Sequence, residues 1–228
     1  MIIAVDGPSG AGKSTVCRLL AARQGYVYLD TGAMYRAVAW LVQAEGLDAA
    51  DETALAQHLE QHPLRFTLDT GALHIFLGNR QLNEELRVPE MALMASRISQ
   101  LECVRNYLTR CQRELGARGG LVAEGRDMTT VVFPDAPVRI FLTADLKART
   151  RRRLLEYQAK GLRVEAASLE AQIRARDEAD AERALAPLRA APGVLRVDTS
   201  EMNITQVVEH LLELIRRLKI PEDPSNRT

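Results

Sequence analysis

Residues 7–14, GPSGAGKS, carry the most informative pattern in the chain. They match G-x-x-x-x-G-K-[ST] in full and lie between an apolar run at 2–5 and a helical pattern at 15–24. In such a strand–loop–helix unit the glycines let backbone N–H groups turn inward around phosphates, and the helix N-terminus adds positive charge. Lys13 is expected to reach the β- and γ-phosphates, and the Ser14 hydroxyl to bind Mg²⁺. The predicted nucleoside triphosphate site consists of Gly7, Pro8, Ser9, Gly10, Ala11, Gly12, Lys13, Ser14 and Thr15.

Strand and helix patterns alternate on both sides of this loop. A second strand is predicted at 26–29, followed by a helix at 33–46 that is closed by Gly46. This β-α-β-α order is typical of a parallel sheet with helical crossovers. Further core strands are predicted at 119–125, 138–142 and 194–198. The sequence therefore predicts an α/β fold with a parallel five-stranded sheet flanked by helices.

The alternation is interrupted by a different pattern at 64–77, LRFTLDTGALHIFL. Apolar residues recur there with period two on both sides of a DTG turn, which indicates a β-hairpin with one solvated face. A hairpin of this kind does not fit inside a buried parallel sheet. We therefore expect an inserted lobe at about 49–95.

The remaining helices complete the expected organisation. Helical patterns cover 89–100, 102–117, 145–161, 168–185 and 203–220, and Asn203 and Gln206 are spaced like a capping box. We expect a core at 1–48, 96–145 and 186–220, a helical lid at about 146–185, and a flexible tail at 221–228.

Composition limits the partners. Thirty basic and thirty acidic residues cancel, and aromatic residues make up only 4% of the chain, so no nucleic acid or membrane partner is expected. The cysteines, Cys17, Cys103 and Cys111, form no CxxC pair and are expected to be buried, inert thiols. The chain enters a strand at its first residues, and we expect a cytoplasmic protein.

Charged residues follow two of the predicted strands at their carboxyl ends. Arg36 lies one helical turn after the second strand, while Glu124, Arg126 and Asp127 end the third. Ligands of open α/β sheets bind at this edge, and an enzyme that joins two anionic partners must neutralise both. Glu124 could serve a metal or a substrate. The alternatives are a solvated surface position for Arg36 and a strand-end salt bridge for the others.

The two charged helices also carry clustered arginines. Arg176, Asp180 and Arg183 fall at i, i+4 and i+7, and Arg149, Arg152 and Arg153 at i, i+3 and i+4. This spacing is expected to place the members of each set on one helix face. A lid that closes on ATP is the functional interpretation of the second set. Solvated ion-pair ladders are the alternative for both sets.

Other phosphate-loop proteins fit less well. A GTPase reads guanine with an N-K-x-D sequence, which is not present, and a large motor or helicase needs a longer chain. A small kinase is the remaining class.

Five stretches resemble those of bacterial cytidylate kinases, in the same order along nearly the whole chain. They are GPSGAGKST, LDTGAMYR, EGRDMTTVVFPDAPVRIFL, RARDEADAERALAPL and VDTS. The hairpin at 64–77 is similar to the enlarged monophosphate-binding lobe of that family. The resemblance implies transfer of the ATP γ-phosphoryl group to CMP or dCMP with Mg²⁺, by an enzyme that we expect to be monomeric.

The resemblance also implies roles for individual residues. Lys13, Arg126 and Arg183 are expected to be catalytic, and Arg149, Arg152 and Arg153 to contact ATP. The expected acceptor site comprises Arg36, Arg126 and Arg183 for the phosphate, Thr31 and Tyr35 along the pocket, Ser96, Arg105 and Asp127 for the cytosine edge, and Arg176 and Asp180 for the pentose. The sequence departs from the family at Glu124, where Asp is frequent, at Thr129, where Gly is common, and at Ala179 and Ala181, which are basic in some relatives.

Two alternatives remain open at this point. One is a kinase for an adenylate, uridylate or non-nucleotide acceptor, and the other is a nucleotide-dependent protein that binds RNA through the basic lid helix. A cytidylate kinase differs from both alternatives because its ADP release requires CMP and does not respond to added RNA.

Overall fold

The computed structural model describes residues 1–69, 71–159 and 161–219. The expected tail at 221–228 lies outside the described residues.

The first two strand–helix units form as the sequence predicts. Strand β1 spans Ile2–Asp6 and helix α1 Lys13–Gln24. Strand β2 spans Val27–Asp30 and helix α2 Thr31–Ala44. Helix α2 starts two residues earlier than expected because the Asp30 carboxylate accepts a hydrogen bond from the Ala33 N–H at 2.9 Å, which caps the helix.

The later strands extend the same sheet. These are β6, Leu121–Gly125, β7, Val138–Thr143, and β8, Leu195–Asp198. The strand order of the sheet is β2-β6-β1-β7-β8. Every pairing is parallel. This confirms the predicted five-stranded α/β fold, and it brings the carboxyl ends of the strands together at one edge.

Both faces of the sheet are buried under helices. One face packs with α1 and the final helix α8, Ile204–Lys219, through residues such as Leu20, Ile140 and Leu211. The predicted capping box of α8 is present, since the Asn203 and Gln206 side chains each accept the other's backbone N–H at 3.0 and 2.9 Å.

The predicted hairpin is confirmed as strands β3, Leu64–Asp69, and β4, Ala72–Leu77, with Phe66 opposite Ile75. A third antiparallel strand, β5, Arg80–Leu82, and a helix, α3, Glu52–Gln61, were not predicted. A single 3₁₀ turn follows at Glu84–Leu86.

The core of this lobe is continuous with that of the sheet. Its Leu55 and Ile75 belong to the same buried cluster as Met34 of α2 and Leu108 of α5, Glu102–Gly116. Helix α4, Pro89–Ile98, leads from the lobe back to the sheet.

The two charged helices are α6, Leu146–Ala159, and α7, Ala166–Glu182. The expectation that Arg183 shares a helix face with Arg176 and Asp180 is wrong, because the backbone at Arg183 turns extended (φ −59°, ψ 141°) and α7 ends before it. The Arg183 Nε instead donates to the Ala186 carbonyl at 2.7 Å.

The thiols differ in exposure. All three are free, but only Cys17 is buried, while Cys103 and Cys111 are half-buried. The expectation of three buried thiols is wrong for these two, because both lie on α5 at the margin of the core, packed against it but partly exposed. Across the described ranges, no helix has both the length and the apolar character needed to cross a membrane.

Candidate active site

The edge where the strands end determines which side chains meet. Asp6 is in register with Gly125, and Asp30 with Glu124. Residues that follow β1, β2 and β6 therefore lie side by side, although the paired Asp6 and Gly125 are 119 positions apart in the chain. The Thr31 hydroxyl donates to the Glu124 carbonyl at 2.6 Å and links two of these strand ends.

The phosphate loop leaves β1 through a close contact. A Cβ on Gly7, where φ is +154°, would stand 2.0 Å from the Leu142 carbonyl oxygen of β7, so only glycine fits. Lys13 begins α1, and its ammonium donates to the Gly7 and Pro8 carbonyls at 2.8 and 2.9 Å. Burial, with a smaller contribution from Arg126, lowers the pKa of Lys13 to about 7. A polyphosphate would favour its charged form.

A cavity opens above this loop. It contains the predicted Ser9, Gly10, Gly12, Lys13, Ser14, Thr15 and Arg153, together with Asp30, Arg36, Glu124, Arg126 and Arg176. Gly7, Pro8 and Ala11 support the loop without lining this cavity.

The three lid arginines separate in the structure. Arg149 donates to the Ser9 carbonyl at 3.0 Å, and Arg153 lines the loop cavity. Arg152 instead donates to the Thr199 hydroxyl at 3.0 Å and the Met202 carbonyl at 3.2 Å, beside the start of α8. A contact between Arg152 and ATP stays a prediction.

The Ser9 backbone is held by both charged helices. Its N–H donates to the Asp177 carboxylate of α7 at 3.1 Å, and its carbonyl accepts from Arg149 of α6. Asp177 and Arg149 also form an ion pair with each other. Asp177 was not predicted, because in sequence it is one of several acids on a charged helix.

A second cavity adjoins the first. It is lined by all ten predicted acceptor residues, namely Thr31, Tyr35, Arg36, Ser96, Arg105, Arg126, Asp127, Arg176, Asp180 and Arg183. Arg36, Arg126 and Arg176 line both cavities and form the wall between them.

Two arginines of the acceptor cavity have N–H donors without a partner. Among the described residues, Arg176 Nε and Arg183 Nη2 are buried without a hydrogen-bond partner. Burial lowers the pKa of Arg176 to about 10, with a further contribution from Arg126, and lowers that of Arg183. Unpaired cationic donors in a cavity are costly unless an anion satisfies them, so their position indicates an anion-binding site.

Ion pairs fix the other side chains of this cavity. Asp180 accepts from Arg126 Nε at 2.8 Å and lies 3.9 Å from Arg183 Nη1. Arg105 and Asp127 form a buried pair, and Arg105 also donates to the Ser99 carbonyl at 2.9 Å. Arg105, Asp127 and Ser96 all line the acceptor cavity, so the ion pair presents polar groups to it.

The residues around Ser14 suit a hard cation. The buried Glu124 carboxylate lines the same cavity, and its Oε2 has no hydrogen-bond partner of normal geometry in the described structure. Burial and then Asp30 raise the pKa of Glu124, whereas Lys13 and the nearby Ser14 hydroxyl favour its charged form. A hydroxyl and a free carboxylate oxygen beside a phosphate loop match the oxygen ligands that Mg²⁺ prefers.

Two further residues support this edge and were not predicted. The Tyr28 hydroxyl donates to Glu124 Oε1 at 2.5 Å. The buried Asp6 carboxylate accepts from the N–H groups of Met128 and Thr129 at 2.8 and 2.7 Å, and from the Thr129 hydroxyl at 2.7 Å. Asp6 thereby anchors a short π-helix, Met128–Val132, and Thr129 supplies one contact that a glycine could not.

A phosphate loop beside an arginine-lined cavity, on a parallel sheet with an inserted lobe, defines a phosphate-loop kinase fold. A sequence model of the cytidylate kinase family matches residues 3–217. The chain belongs to the cytidylate kinase family.

Individual relatives agree with this assignment. The chain is 48% identical over 220 residues to a bifunctional pantoate ligase/cytidylate kinase of Synechococcus elongatus, covering 94% of this chain and 42% of that protein. It is 44% identical over 225 residues to a cytidylate kinase of Syntrophotalea carbinolica, covering 99% and 96% of the two chains. The chain thus spans less than half of the bifunctional relative.

The fold also has a solved counterpart. The crystal structure of an uncharacterized protein from Eubacterium ventriosum superimposes with a TM-score of 0.54 at 12% identity, covering 95% of this chain and 98% of that one.

Proposed function

We propose that the protein transfers the γ-phosphoryl group of ATP to CMP and dCMP, with Mg²⁺ bound to the nucleotide. One observation carries the proposal: the loop cavity and the acceptor cavity share a wall of Arg36, Arg126 and Arg176. Three cations between a triphosphate site and a monophosphate site are placed to neutralise the phosphoryl group while it passes from one to the other.

The donor side is built for a polyphosphate. The loop N–H groups and Lys13 would hold the β- and γ-phosphates, and Ser14 and Glu124 Oε2 would hold Mg²⁺. The bound ion would supply charge neutralisation for the transferring phosphoryl group. Arg153 faces the same cavity from the lid, and Arg149 fixes the loop from behind at Ser9.

The acceptor side is built for a monophosphate that carries a sugar and a base. Arg36, Arg126 and Arg183 grip the phosphate, and Asp180 with Arg176 meets the pentose hydroxyls. Arg105, Asp127 and Ser96 read the cytosine edge, because a carboxylate accepts from the exocyclic amino group while the other two donate to the ring nitrogen and carbonyl. Thr31 and Tyr35 complete the pocket.

No general base is needed in this reaction. The acceptor atom is already an oxyanion, so catalysis consists of alignment and charge neutralisation by Lys13, Arg126 and Arg183. The lobe at about 49–95 and the lid at about 146–185 close over both substrates and exclude water, which otherwise would hydrolyse ATP. We expect a cytoplasmic monomer that requires neither nucleic acid nor membrane, and the three free thiols suit a reducing compartment.

An acceptor panel tests the proposal. ADP release from ATP and Mg²⁺ is followed with CMP, dCMP, UMP, AMP and shikimate, and with added RNA in place of an acceptor. We expect release with CMP and dCMP, much less with UMP, and none above background with AMP, shikimate or RNA. Equal rates with AMP, or release that depends on RNA, would contradict the assignment.

A further inference from the structure

Tyr28 connects a neighbouring strand to the acid beside the phosphate loop. It lies on β2, two residues before Asp30, which is in register with Glu124 of β6. Its ring is buried, and its hydroxyl donates to Glu124 Oε1 at 2.5 Å. The bond joins two strands at the edge where the cavities open.

The two oxygens of Glu124 have different environments. Oε1 accepts from Tyr28, while Oε2 is buried without a hydrogen-bond partner of normal geometry among the described residues. The carboxylate faces the cavity that Lys13 and Ser14 line. Oε2 lies near the Ser14 hydroxyl and the Lys13 charge but makes no hydrogen bond of normal geometry, which is costly for a buried carboxylate oxygen. Its orientation toward the loop therefore indicates a cation or a cation-bound water.

Side-chain length explains why this carboxylate needs an outside contact. Glutamate has one more rotatable bond than aspartate, and ordering it costs more conformational entropy. A neutral O–H donor fixes the carboxylate without competing for its negative charge as a lysine or arginine would. A second residue that orients a metal-binding side chain typically changes metal affinity by about 10- to 100-fold when it is removed.

We infer that Tyr28 is a positioning residue, whose hydroxyl holds the Glu124 carboxylate so that Oε2 faces the divalent cation of the bound nucleotide. The inference rests on the proposed function for the presence of that cation. Glu124 then contacts the ion directly or through a water that the ion retains.

Metal affinity measures this role directly. Mn²⁺ replaces Mg²⁺, and its binding to the protein with a non-hydrolysable ATP analogue is followed by electron paramagnetic resonance. We expect Tyr28→Phe, which removes only the hydroxyl, to weaken Mn²⁺ binding about tenfold. Binding of the analogue in EDTA should stay as in the unaltered protein, because the loop and Lys13 are untouched.

Tyr107→Phe is the matched control. Its hydroxyl also bridges buried groups, the N–H and carbonyl of Leu64 at 2.9 and 3.2 Å, but it lies between α5 and β3, away from the loop cavity. We expect Tyr107→Phe to lower the melting temperature and to leave Mn²⁺ affinity unchanged. A loss of Mn²⁺ affinity in both variants would overturn the inference, since general destabilisation would then explain it.

A double-mutant comparison isolates the path through Glu124. Glu124→Gln should weaken Mn²⁺ binding, and adding Tyr28→Phe to it should change nothing further. The inference would be overturned if Tyr28→Phe weakened Mn²⁺ binding equally in the unaltered protein and in Glu124→Gln. It would also be overturned if Glu124→Gln bound Mn²⁺ with full affinity. Neither result concerns the proposed function, which fails separately if the unaltered protein shows no CMP-dependent ADP release.

Discussion

Arg36 donates to the Asp30 carboxylate at 3.1 Å, so one of the arginines that line both cavities is held by the residue that caps its own helix. This contact uses Nη2 and leaves the rest of the guanidinium fork toward the cavities. We expect Arg36→Ala to weaken CMP binding roughly 10- to 100-fold and ATP binding much less, because charge-assisted hydrogen bonds to the acceptor phosphate are lost. Isothermal titration with each nucleotide measures the two effects.

Lysine at this position should restore CMP affinity only in part, since it lacks the planar fork. Arg23→Ala removes the same charge from a surface pair with Glu209 and should leave both affinities unchanged. If Arg36→Ala binds CMP with unaltered affinity, Arg36 does not bind the acceptor phosphate and is an ordinary surface residue.

Lys13→Ala should cut turnover by a factor on the order of 10² or more with the fold intact, because charge next to the transferring phosphoryl group is removed. Steady-state ADP release and circular dichroism check the two parts. Lys147→Ala, an exposed position on α6, is the control for loss of one lysine charge. An active Lys13→Ala protein would refute the ATP-site assignment.

Asp127 is expected to separate cytosine from uracil. Alanine would leave the buried Arg105 without its carboxylate, which typically costs about 3–5 kcal/mol, so Asp127→Asn is the better change. Asparagine can accept from cytosine or donate to uracil, and we expect the ratio of kcat/KM for CMP over UMP to fall about tenfold or more. Asp135→Asn, at an exposed position, should leave the ratio unchanged.

An equal fall for the two acceptors would assign Asp127 to the metal or to the fold. Cytosine would then be read elsewhere in the cavity.

Cys103 should react slowly despite its partial exposure. Burial, and then the Glu52 carboxylate, raises the pKa of this thiol to about 11. At pH 8 its thiolate fraction is therefore roughly 10²-fold below that of a thiol with a pKa near 9, and alkylation by iodoacetamide should slow by a similar factor. Peptide mass spectrometry measures the rate, which should rise about tenfold per pH unit up to pH 10.

Glu52→Gln supplies the control for this reaction. It removes a negative charge that favours the protonated thiol, so Cys103 should alkylate faster in that variant. A rate in the native protein equal to that of a free thiol would contradict the shifted pKa.

Part of the acceptor cavity could be predicted from strand ends, because the carboxyl ends of β2 and β6 lie at one edge of a parallel sheet and bring Arg36 close to Arg126 and Asp127. The cavity residues on or beside α4, α5 and α7 were assigned through the resemblance to bacterial cytidylate kinases, namely Ser96, Arg105, Arg176, Asp180 and Arg183. The hairpin at 64–77 could be predicted from the period-two spacing of its apolar residues. The strand ends and the hairpin both depend on local pattern, which sequence records directly.

Contacts between distant helices could not be obtained in this way. Arg152 lies in the same charged run as Arg149 and Arg153, yet it donates to Thr199 rather than to the phosphate loop, because long arginine side chains on one helix can reach different partners. Tyr28 had no signal beyond that of a strand residue. The three-residue strand β5 is too short for its alternation to be recognised.

The Ser9 amide hydrogen can exchange with solvent only when Asp177 moves away from it. Asp177 belongs to α7 and Ser9 to the turn after β1, so that event breaks a contact between the charged helix and the phosphate loop. Deuterium uptake at this single amide thus reports how often this contact breaks. It does so without any nucleotide or change of sequence.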